Sequence, residues 1–356
     1  NHILQDLENM PQLPPNARIF TADATAMYTN IDTSTAISAF TFLFNTYTDE
    51  IPQDFPKIFF LETLRFIMEN NIFQFDDTYW LQLNGTAMGT PAACNYATIA
   101  FGILERHSIL PRFYQSLPFY KRYIDDVFGI WIPTTTDDDT EWTAFQQAMN
   151  QFGKLRWVIS TREKSTNFLD LTISVDHNGN IKTSTFQKPM NLHLYLCPTS
   201  AHADGVRKSL IYGTLHRFWH QNTDIADFIS ITHKFYKHLQ NRGHRPRDLI
   251  PIFQDAAKWL DNPPPRASNT APTDELRKFF FHMQFHPQGI PRKLIREAFS
   301  KSCQTIRDTL NITEDNFVVA YSRAKNLRDV LTRTRLQEPP GQQASTYCEA
   351  LQRGDS

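Results

Sequence analysis

The fold is decided by the stretch Phe119-Tyr-Lys-Arg-Tyr-Ile-Asp-Asp-Val-Phe-Gly-Ile-Trp-Ile132. Aromatic and β-branched residues, which favour strands, stand on both sides of two adjacent aspartates, Asp125 and Asp126. The pattern predicts a β-hairpin whose tight turn carries the two carboxylates. Adjacent carboxylates repel one another, and their hard oxygen atoms suit Mg²⁺ or Mn²⁺, so the turn is a candidate metal site. This motif alone leaves an ordinary Asp-Asp turn open as the alternative.

Length and composition limit the classes of protein to consider. With 356 residues, the chain is long enough for two or three structural units. There is no run of 18 apolar residues and no charged and apolar leader at the start, so neither a membrane span nor a signal peptide is indicated. The cysteines lack CxxC spacing, which argues against a disulfide framework or a zinc site and favours a reducing, intracellular compartment: Cys94, Cys197, Cys303 and Cys348.

Charge is divided unevenly along the chain. Residues 1–150 contain 7 Lys and Arg against 18 Asp and Glu, whereas residues 151–356 contain 29 against 19. An acidic first part suits the binding of divalent cations, and a basic second part suits a phosphate backbone. Solvated helix faces of opposite sign are the competing interpretation of the same numbers.

Asp23 is a second candidate carboxylate, about a hundred residues before the hairpin. Arg18-Ile-Phe-Thr-Ala-Asp23 has the composition of a strand that ends on this aspartate. If the strand and the hairpin are antiparallel neighbours, Asp23 lies beside Asp125 and Asp126. Two Mg²⁺ shared by such carboxylates would activate a 3′-hydroxyl and stabilise a departing pyrophosphate. A turn or helix-cap aspartate is the alternative for Asp23.

Helical and strand patterns alternate around these two elements. A helix that starts in Asp32-Thr-Ser-Thr35 and is capped by Asp, Thr or Ser, and a second helix over 55–70, precede a hairpin over 73–83 and a glycine-bounded loop, Gly85–Gly89. Further on, the patterns predict helices over 92–107 and up to 152, strands over 155–161 and 167–175, and an Asn178-Gly179 turn into a strand over 181–186. This order predicts an α+β fold with a mainly antiparallel sheet.

Beyond Pro198 the pattern is helical and basic, with aromatic residues between the basic ones. Such interleaving is typical of a groove that follows a nucleic-acid strand, although aromatic residues in helices more often belong to a core. The proline-rich run Asp261–Pro272 is a predicted linker.

Four motifs resemble those of reverse transcriptases, in the same order. Phe20-Thr-Ala-Asp23 with Tyr28-Thr-Asn-Ile31 is similar to polymerase motif A, and Gly85-Thr-Ala-Met-Gly-Thr90 to motif B. Tyr123-Ile-Asp-Asp126 is similar to the YxDD of motif C, and Phe168-Leu-Asp-Leu171 to motif E, the primer grip. The residues within these motifs resemble those of Penelope-like retroelements, relatives of telomerase. Further short matches are Lys188-Pro189, Tyr195-Leu196, Ser200-Ala-His202 and a run over 320–331.

The resemblance implies a right-hand polymerase fold of the α+β class, in which a palm with an antiparallel sheet is followed by a helical thumb. The implied domain boundaries are a lead segment at the end of the fingers (1–18), the palm with motifs A to E (19–190), a helical thumb (191–260), a linker (261–272), a basic connector (273–336) and a disordered tail (337–356). Most of the fingers and a GIY-YIG endonuclease would lie outside this chain.

The resemblance also implies roles for single residues. The catalytic residues and ligands of two Mg²⁺, or of Mn²⁺, would be Asp23, Asp125 and Asp126. Tyr28 would be the steric gate against a ribose 2′-hydroxyl. Further nucleotide-binding residues would be Gln82, Met88 and Gly89. The primer grip would be Phe168, Leu169 and Asp170. Lys164 is a candidate proton donor to pyrophosphate, and a surface lysine at a strand end is the competing interpretation.

The implied function is that of a retrotransposon RNA-directed DNA polymerase, intracellular and nuclear, with no membrane association. Its partners would be an RNA template, a DNA primer or RNA/DNA duplex, and dNTPs, while the oligomeric state stays open. Two alternatives remain. One is a catalytically inactive nucleic-acid-binding remnant of such an element. The other is a viral RNA-dependent RNA polymerase, against which Tyr28 speaks because that chemistry must admit a 2′-hydroxyl.

Overall fold

A computed structural model describes residues 2–134, 137–202, 205–261, 278–286, 289–301, 312–313 and 316–322. The chain divides into two compact units. Unit 1 consists of Asn1–Leu194 and Gly213–Asn241, and unit 2 of Tyr195–Tyr212 and Arg242–Ser356. The predicted tail, nearly all of the predicted linker and much of the predicted connector lie outside the described residues.

Helices and strands alternate through the described part of the chain. Its α-helices are α1 (His2–Glu8), α2 (Met27–Asn30), α3 (Thr33–Thr46), α4 (Lys57–Glu69), α5 (Ala93–Leu104), α6 (Leu110–Phe113), α7 (Asp138–Met149), α8 (Val206–Gln221), α9 (Ile225–Asn241), α10 (Pro246–Asp261) and α11 (Arg292–Lys301). Its strands are β1 (Arg18–Ala24), β2 (Ile72–Phe75), β3 (Thr78–Leu81), β4 (Phe119–Tyr123), β5 (Asp126–Trp131), β6 (Trp157–Ile159), β7 (Ser165–Phe168), β8 (Leu171–Val175), β9 (Ile181–Thr185), β10 (Phe279–Gln284) and β11 (Phe317–Ser322). A 3₁₀ turn spans Thr48–Glu50 and a π-helical turn spans Glu105–Ile109.

The centre of unit 1 is an antiparallel sheet with the strand order β4-β5-β1-β6. Both faces of this sheet are covered, so its apolar side chains alternate between two cores. Phe20 and Ala22 of β1 belong to the first core, while Ile19 of the same strand belongs to the second. This period of two is what the alternating residues of a strand require. The prediction of a mainly antiparallel α+β sheet protein is therefore confirmed.

Helices cover the first face of the sheet. Helix α3 begins where the Asp32 side chain accepts a hydrogen bond from the Thr35 backbone N–H at 2.9 Å, so Asp32 is the cap among the Asp, Thr and Ser candidates. Its buried residues Ile37 and Phe40 join the first core, to which α4, α5 and α7 also contribute. Phe20 is in edge-to-face contact with a ring of α7, Trp142, at 5.0 Å between centroids. These contacts fix the position of β1 from one side.

A three-stranded antiparallel sheet, β7-β8-β9, contributes to the second core. The predicted single strand over 167–175 is wrong, because the chain turns back at Leu169 and Asp170 between β7 and β8. Leu169 has φ +54°, and the carbonyl of Asp170 accepts a hydrogen bond from the Phe186 N–H at 2.9 Å. An apolar run with strand propensity does not reveal a leucine with positive φ, which is uncommon outside glycine, Asn and Asp.

The predicted helix over 92–107 is also modified. It is α-helical only to Leu104 and continues as the π turn, in which the Leu110 N–H bonds the Glu105 carbonyl. Pro111 follows at the start of α6 and has no N–H to offer to a regular helix. The wider turn accommodates that missing donor.

Unit 2 contains α10 and a small parallel β-sheet, β10-β11, whose strands are connected in sequence by way of α11. Arg292 and Arg296 of α11 donate hydrogen bonds to carbonyls of β11 at 3.3 and 3.2 Å. The two strands and α11 occupy part of the predicted basic connector, whereas α10 lies almost entirely in the stretch predicted as the thumb. No helix within the described ranges has the length and apolar character that a membrane crossing needs.

Gly129 of β5 provides a test of the packing between the sheet and α7. A Cβ added there would lie 2.4 Å from the buried Phe20 ring, which Trp142 holds in place, so Gly129→Ala should destabilise the protein by about 1–3 kcal/mol. Gly213→Ala is the matched control in helix α8, where an added Cβ meets no described atom within 4 Å. It should stabilise by about 0.5–1 kcal/mol. Urea unfolding measures both, and equal effects would contradict this packing.

Candidate active site

Two of the three predicted catalytic aspartates face each other across neighbouring strands. Asp23 of β1 is the register partner of Asp126 of β5. Directly opposite residues of antiparallel strands point to the same face, with Cβ atoms about 4.5–5.5 Å apart. Asp23 is exposed and Asp126 is half-buried, so both lie at an accessible end of the sheet.

Asp125 lies in the two-residue turn that connects β4 and β5. The other turn residue, Ile124, has φ +56°, a conformation that is strained for a β-branched side chain. The Asp125 carbonyl accepts a hydrogen bond from the Ala24 N–H at 2.9 Å. Because Ala24 follows Asp23 directly, this bond ties the turn to the end of β1. The predicted hairpin is confirmed, and it brings the three aspartates to one end of one sheet.

The carboxylates influence one another electrostatically. Burial raises the pKa of Asp126 above its ordinary value, and the charges of Asp125 and Asp23 raise it further. The ammonium group of Lys188, which follows β9, acts in the opposite direction on this pKa. Lys188 therefore lies near enough to sense the Asp126 charge, although the sequence analysis gave it no role of its own. The sequence signals that could have found it are the Lys188-Pro189 match and its place just after β9.

The side chains at this turn fit a divalent cation in their chemistry. Carboxylate oxygens are the ligands that Mg²⁺ and Mn²⁺ prefer, and a cation would relieve the repulsion that raises the Asp126 pKa. In the described part of the chain, however, no group of three or more His, Cys, Asp and Glu side chains stands ready to hold a metal. Asp23, Asp125 and Asp126 are thus brought together by their backbones, and their side chains would have to turn to share an ion.

Tyr28 lies beside this turn. It belongs to the short helix α2, and its hydroxyl shares a hydrogen bond with the Cys94 thiol at the start of α5. That hydrogen bond, together with burial and the nearby charge of Asp125, raises the pKa of Tyr28 to about 12. The hydroxyl is therefore neutral at physiological pH. Cys94 is a neighbour that the sequence analysis did not assign to the site.

The predicted nucleotide-binding loop is only partly at the site. Gly85 has φ +73°, and a Cβ there would lie 2.3 Å from the Tyr28 carbonyl, so the loop packs directly on the Tyr28 backbone. Met88 is 79% exposed, and Gly89 has open space around it. The Gln82 amide donates to the Asn84 carbonyl at 2.8 Å. No described contact brings Gln82, Met88 or Gly89 to the aspartates, and their roles stay predictions.

The predicted primer grip forms the turn between β7 and β8. Phe168 is buried in the second core, whereas Leu169 is 37% exposed. The Asp170 carboxylate accepts a hydrogen bond from the Gln221 amide and lies 3.8 Å from the Arg217 guanidinium. This aspartate is therefore engaged by the end of α8.

Lys164 is not brought to the aspartates. Its ammonium group donates to the Pro15 carbonyl at 2.9 Å, and its neighbour Glu163 pairs with Ile19 near the start of β1. Asp23 lies four residues further along that strand, roughly 13 Å away at 3.3 Å per residue. Burial and the charge of Arg18 lower the pKa of Lys164. This position gives the proton-donor role no support. The order of the strands in the sequence did not show at which end of β1 the lysine would lie.

Comparison with known proteins finds distant similarity to solved structures. No protein-family model and no curated protein matches the sequence. Among solved structures, telomerase from Candida albicans in complex with a telomeric RNA fragment shares 9% identity over 72% of this chain and 46% of that chain, with a TM-score of 0.48. Apo telomerase from Candida tropicalis, truncated from its C-terminal domain, shares 11% over 51% and 37%, with a TM-score of 0.37.

The RNA-dependent RNA polymerase of a human picorbirnavirus shares 11% identity over 74% of this chain and 47% of that chain, with a TM-score of 0.43. This chain therefore spans less than half the length of each of these three structures. All three similar structures are nucleic-acid polymerases, and a function for this chain must come from its own residues.

Asp126→Asn should stabilise the metal-free protein at neutral pH. Because the pKa of Asp126 is raised on folding, the folded state holds this proton more tightly than the unfolded chain, and stability falls as pH rises through the raised value. The amide cannot ionise, so its gain should be largest above that value. It should vanish below the ordinary pKa of 3.8, where the carboxyl is protonated in both states.

Urea unfolding of both proteins over an acidic-to-neutral pH series measures this difference. Asp77→Asn, at the exposed turn between β2 and β3, is the matched control. A gain in stability that does not depend on pH, or one of the same size in Asp77→Asn, would show that ionisation of Asp126 does not destabilise the folded protein.

Proposed function

We propose that this chain is the polymerase core of an RNA-directed DNA polymerase that adds deoxyribonucleotides to a primer 3′-hydroxyl. One observation carries the proposal. Asp23 and Asp126 stand opposite each other on β1 and β5, and the Ala24–Asp125 hydrogen bond fastens the third aspartate to the same sheet end. Carboxylates on two adjacent strands and one turn supply the oxygen ligands that nucleotidyl transfer with two divalent cations requires.

The chain's own residues would divide this work between them. Asp23, Asp125 and Asp126 would hold Mg²⁺, or Mn²⁺ in its place. When bound, such ions activate the 3′-hydroxyl and neutralise charge on the leaving pyrophosphate. Burial and the charges of Asp125 and Asp23 raise the pKa of Asp126, and a bound cation would oppose the protonation of this carboxylate.

Tyr28 supports the choice of DNA over RNA synthesis. Its hydroxyl interacts with the Cys94 thiol and senses the charge of Asp125, one of the proposed metal ligands. A ring fixed there would exclude a ribose 2′-hydroxyl by its bulk. For the viral RNA polymerase alternative, the same position would have to admit that hydroxyl.

The finer proposal is a reverse transcriptase of a Penelope-like retroelement, with the palm, thumb and connector divided as the resemblance implies. Its partners would be an RNA template, a DNA primer or RNA/DNA duplex, and dNTPs, in the nucleus. The motifs and the basic second half of the sequence support this proposal.

A second candidate function is a nucleic-acid-binding remnant without catalysis. The observation in its favour is that, among the described residues, no three acidic, histidine or cysteine side chains already stand as a metal site. The two candidates differ in one measurable property, which is the extension of a primer in the presence of Mg²⁺.

Asp125→Asn should abolish primer extension while leaving the fold intact. The wild-type protein should extend a DNA primer on an RNA template with Mg²⁺, and the variant should be slower by at least about 100-fold, because metal-ion stabilisation is worth several kcal/mol. Asp77→Asn is the matched control, since it changes the second residue of another two-residue hairpin turn. Circular dichroism checks the fold of each variant. Wild-type protein that does not extend the primer would favour the remnant, and full activity in Asp125→Asn would contradict the assignment.

Tyr28→Ala should increase incorporation of ribonucleotides without preventing the use of deoxyribonucleotides. Tyr28→Phe is the control, because it keeps the ring and removes only the hydroxyl that bonds Cys94. Single-nucleotide extension gives kcat/KM for a dNTP and for the matching rNTP. The ratio should fall by at least about tenfold in the alanine variant and little in the phenylalanine variant. Unchanged sugar discrimination in both would make Tyr28 a packing residue only.

A further inference from the structure

Behind the aspartate turn lies a buried ion pair that the proposed function leaves without a role. The Arg122 guanidinium of β4 and the Glu105 carboxylate have side chains only 6% and 9% exposed. Two nitrogens of Arg122, Nε and Nη2, donate to the two carboxylate oxygens of Glu105, each at 2.7 Å. The Tyr120 hydroxyl donates to Glu105 Oε1 at 2.6 Å. The pair is thus bidentate and accepts a third, neutral donor.

The local structure of each partner explains this contact. Glu105 opens the π turn that follows α5, where the chain widens before Pro111. Arg122 and Tyr120 are two residues apart in β4, so they point to the same face of the sheet. The pair lies against α5 at Gly102, where an added Cβ would be in ordinary van der Waals contact with Arg122 Nη2 at 3.5 Å.

The remaining donors of Arg122 go to backbone carbonyls. Nη2 also donates to the Thr98 carbonyl of α5 at 2.9 Å, and Nη1 donates to the Ile124 carbonyl at 2.9 Å. Ile124 is the turn residue with φ +56°, immediately before Asp125. One planar guanidinium therefore connects a helix, a buried carboxylate and the strained residue of the aspartate turn.

A role in stability alone does not explain this arrangement. Burying two charges removes their hydration, and an apolar pair of the same volume is often no less stable. A side chain with four directed hydrogen bonds instead fixes geometry, which a hydrophobic pair cannot do. The Ile124 conformation also needs an external restraint, because an isoleucine does not prefer positive φ.

We propose that Arg122, held in place by Glu105, is a positioning residue that locks the Ile124 carbonyl and so sets where the Asp125 and Asp126 carboxylates lie for a divalent cation. The inference rests on the proposed function only for the role of that cation in nucleotidyl transfer. The lock itself belongs to the protein without metal and can be measured there.

Three substitutions separate positioning from packing. Arg122→Lys keeps the positive charge beside Glu105 but has one nitrogen, which cannot serve Glu105, Thr98 and Ile124 together. Glu105→Gln keeps the shape and removes the anchor charge. The exchange of both residues, Arg122→Glu with Glu105→Arg, restores an ion pair but leaves no donor at 122 for the Ile124 carbonyl. Arg106→Lys is the control, because Arg106 belongs to an exposed ion pair with Glu50 at 3.8 Å.

Each protein is measured in three ways: thermal unfolding, amide hydrogen exchange of the 123–127 segment without metal, and Mn²⁺ binding followed by electron paramagnetic resonance. Arg122→Lys should exchange faster at this turn than the wild type and bind Mn²⁺ about 10–100-fold more weakly, as substitutions behind metal ligands do. Glu105→Gln should change both readouts in the same direction. The exchanged pair should regain thermal stability relative to Glu105→Gln without regaining Mn²⁺ affinity. Arg106→Lys should change none of the three.

Primer extension then separates this inference from the proposed function. In Arg122→Lys, kcat should fall about 10–100-fold while the KM for dNTP changes little. Unchanged hydrogen exchange and Mn²⁺ affinity in Arg122→Lys, with only a lower melting temperature, would overturn the positioning role and leave the polymerase assignment intact. If Arg122→Lys binds Mn²⁺ more weakly than the wild type, but the wild type extends no primer, the lock is supported and the polymerase assignment is overturned. Wild-type protein without Mn²⁺ binding would overturn both.

Discussion

The antiparallel register between β1 and β5 is the constraint on which the candidate site depends. It places Asp23 opposite Asp126, and a slip of one residue would turn one of the two carboxylates to the other face of the sheet. The register is fixed further along the same two strands, where the Phe20 ring lies over Gly129. A packing contact in the first core thus determines which acidic side chains meet at the sheet end.

Two features of the site conflict with local preferences. Like charges raise the pKa of Asp126, and Ile124 holds a backbone conformation that its side chain disfavours. Both features lower stability, and both occur at the same turn. Natural sequences keep such local conflicts mainly where function requires them, and the surrounding structure must then over-determine the conformation. Here hydrogen bonds from the Ala24 N–H and the Arg122 guanidinium hold the turn in this conformation.

Sequence reasoning succeeded where a local pattern determines the structure. The strand at Arg18, the helix start in Asp32-Thr-Ser-Thr35 and the hairpin at Tyr123–Asp126 follow from alternation, capping side chains and a turn between apolar runs. It failed where distant contacts decide. The turn at Leu169 depends on a hydrogen bond from Phe186, seventeen positions away, and the position of Lys164 depends on which end of β1 its strand meets. Local propensity contains neither piece of information.

Two hairpins of unit 1 show why turn geometry alone does not define a metal site. In each, an apolar residue with positive φ precedes an aspartate, and the carbonyl of that aspartate accepts a backbone hydrogen bond at 2.9 Å. The neighbours differ. The Asp170 carboxylate accepts a hydrogen bond from Gln221 and faces a guanidinium, so its charge is already compensated. Asp125 instead lies beside a second carboxylate and a neutral tyrosine hydroxyl, neither of which balances its charge. Of these two aspartates, Asp125 is therefore the one whose charge a bound cation would balance.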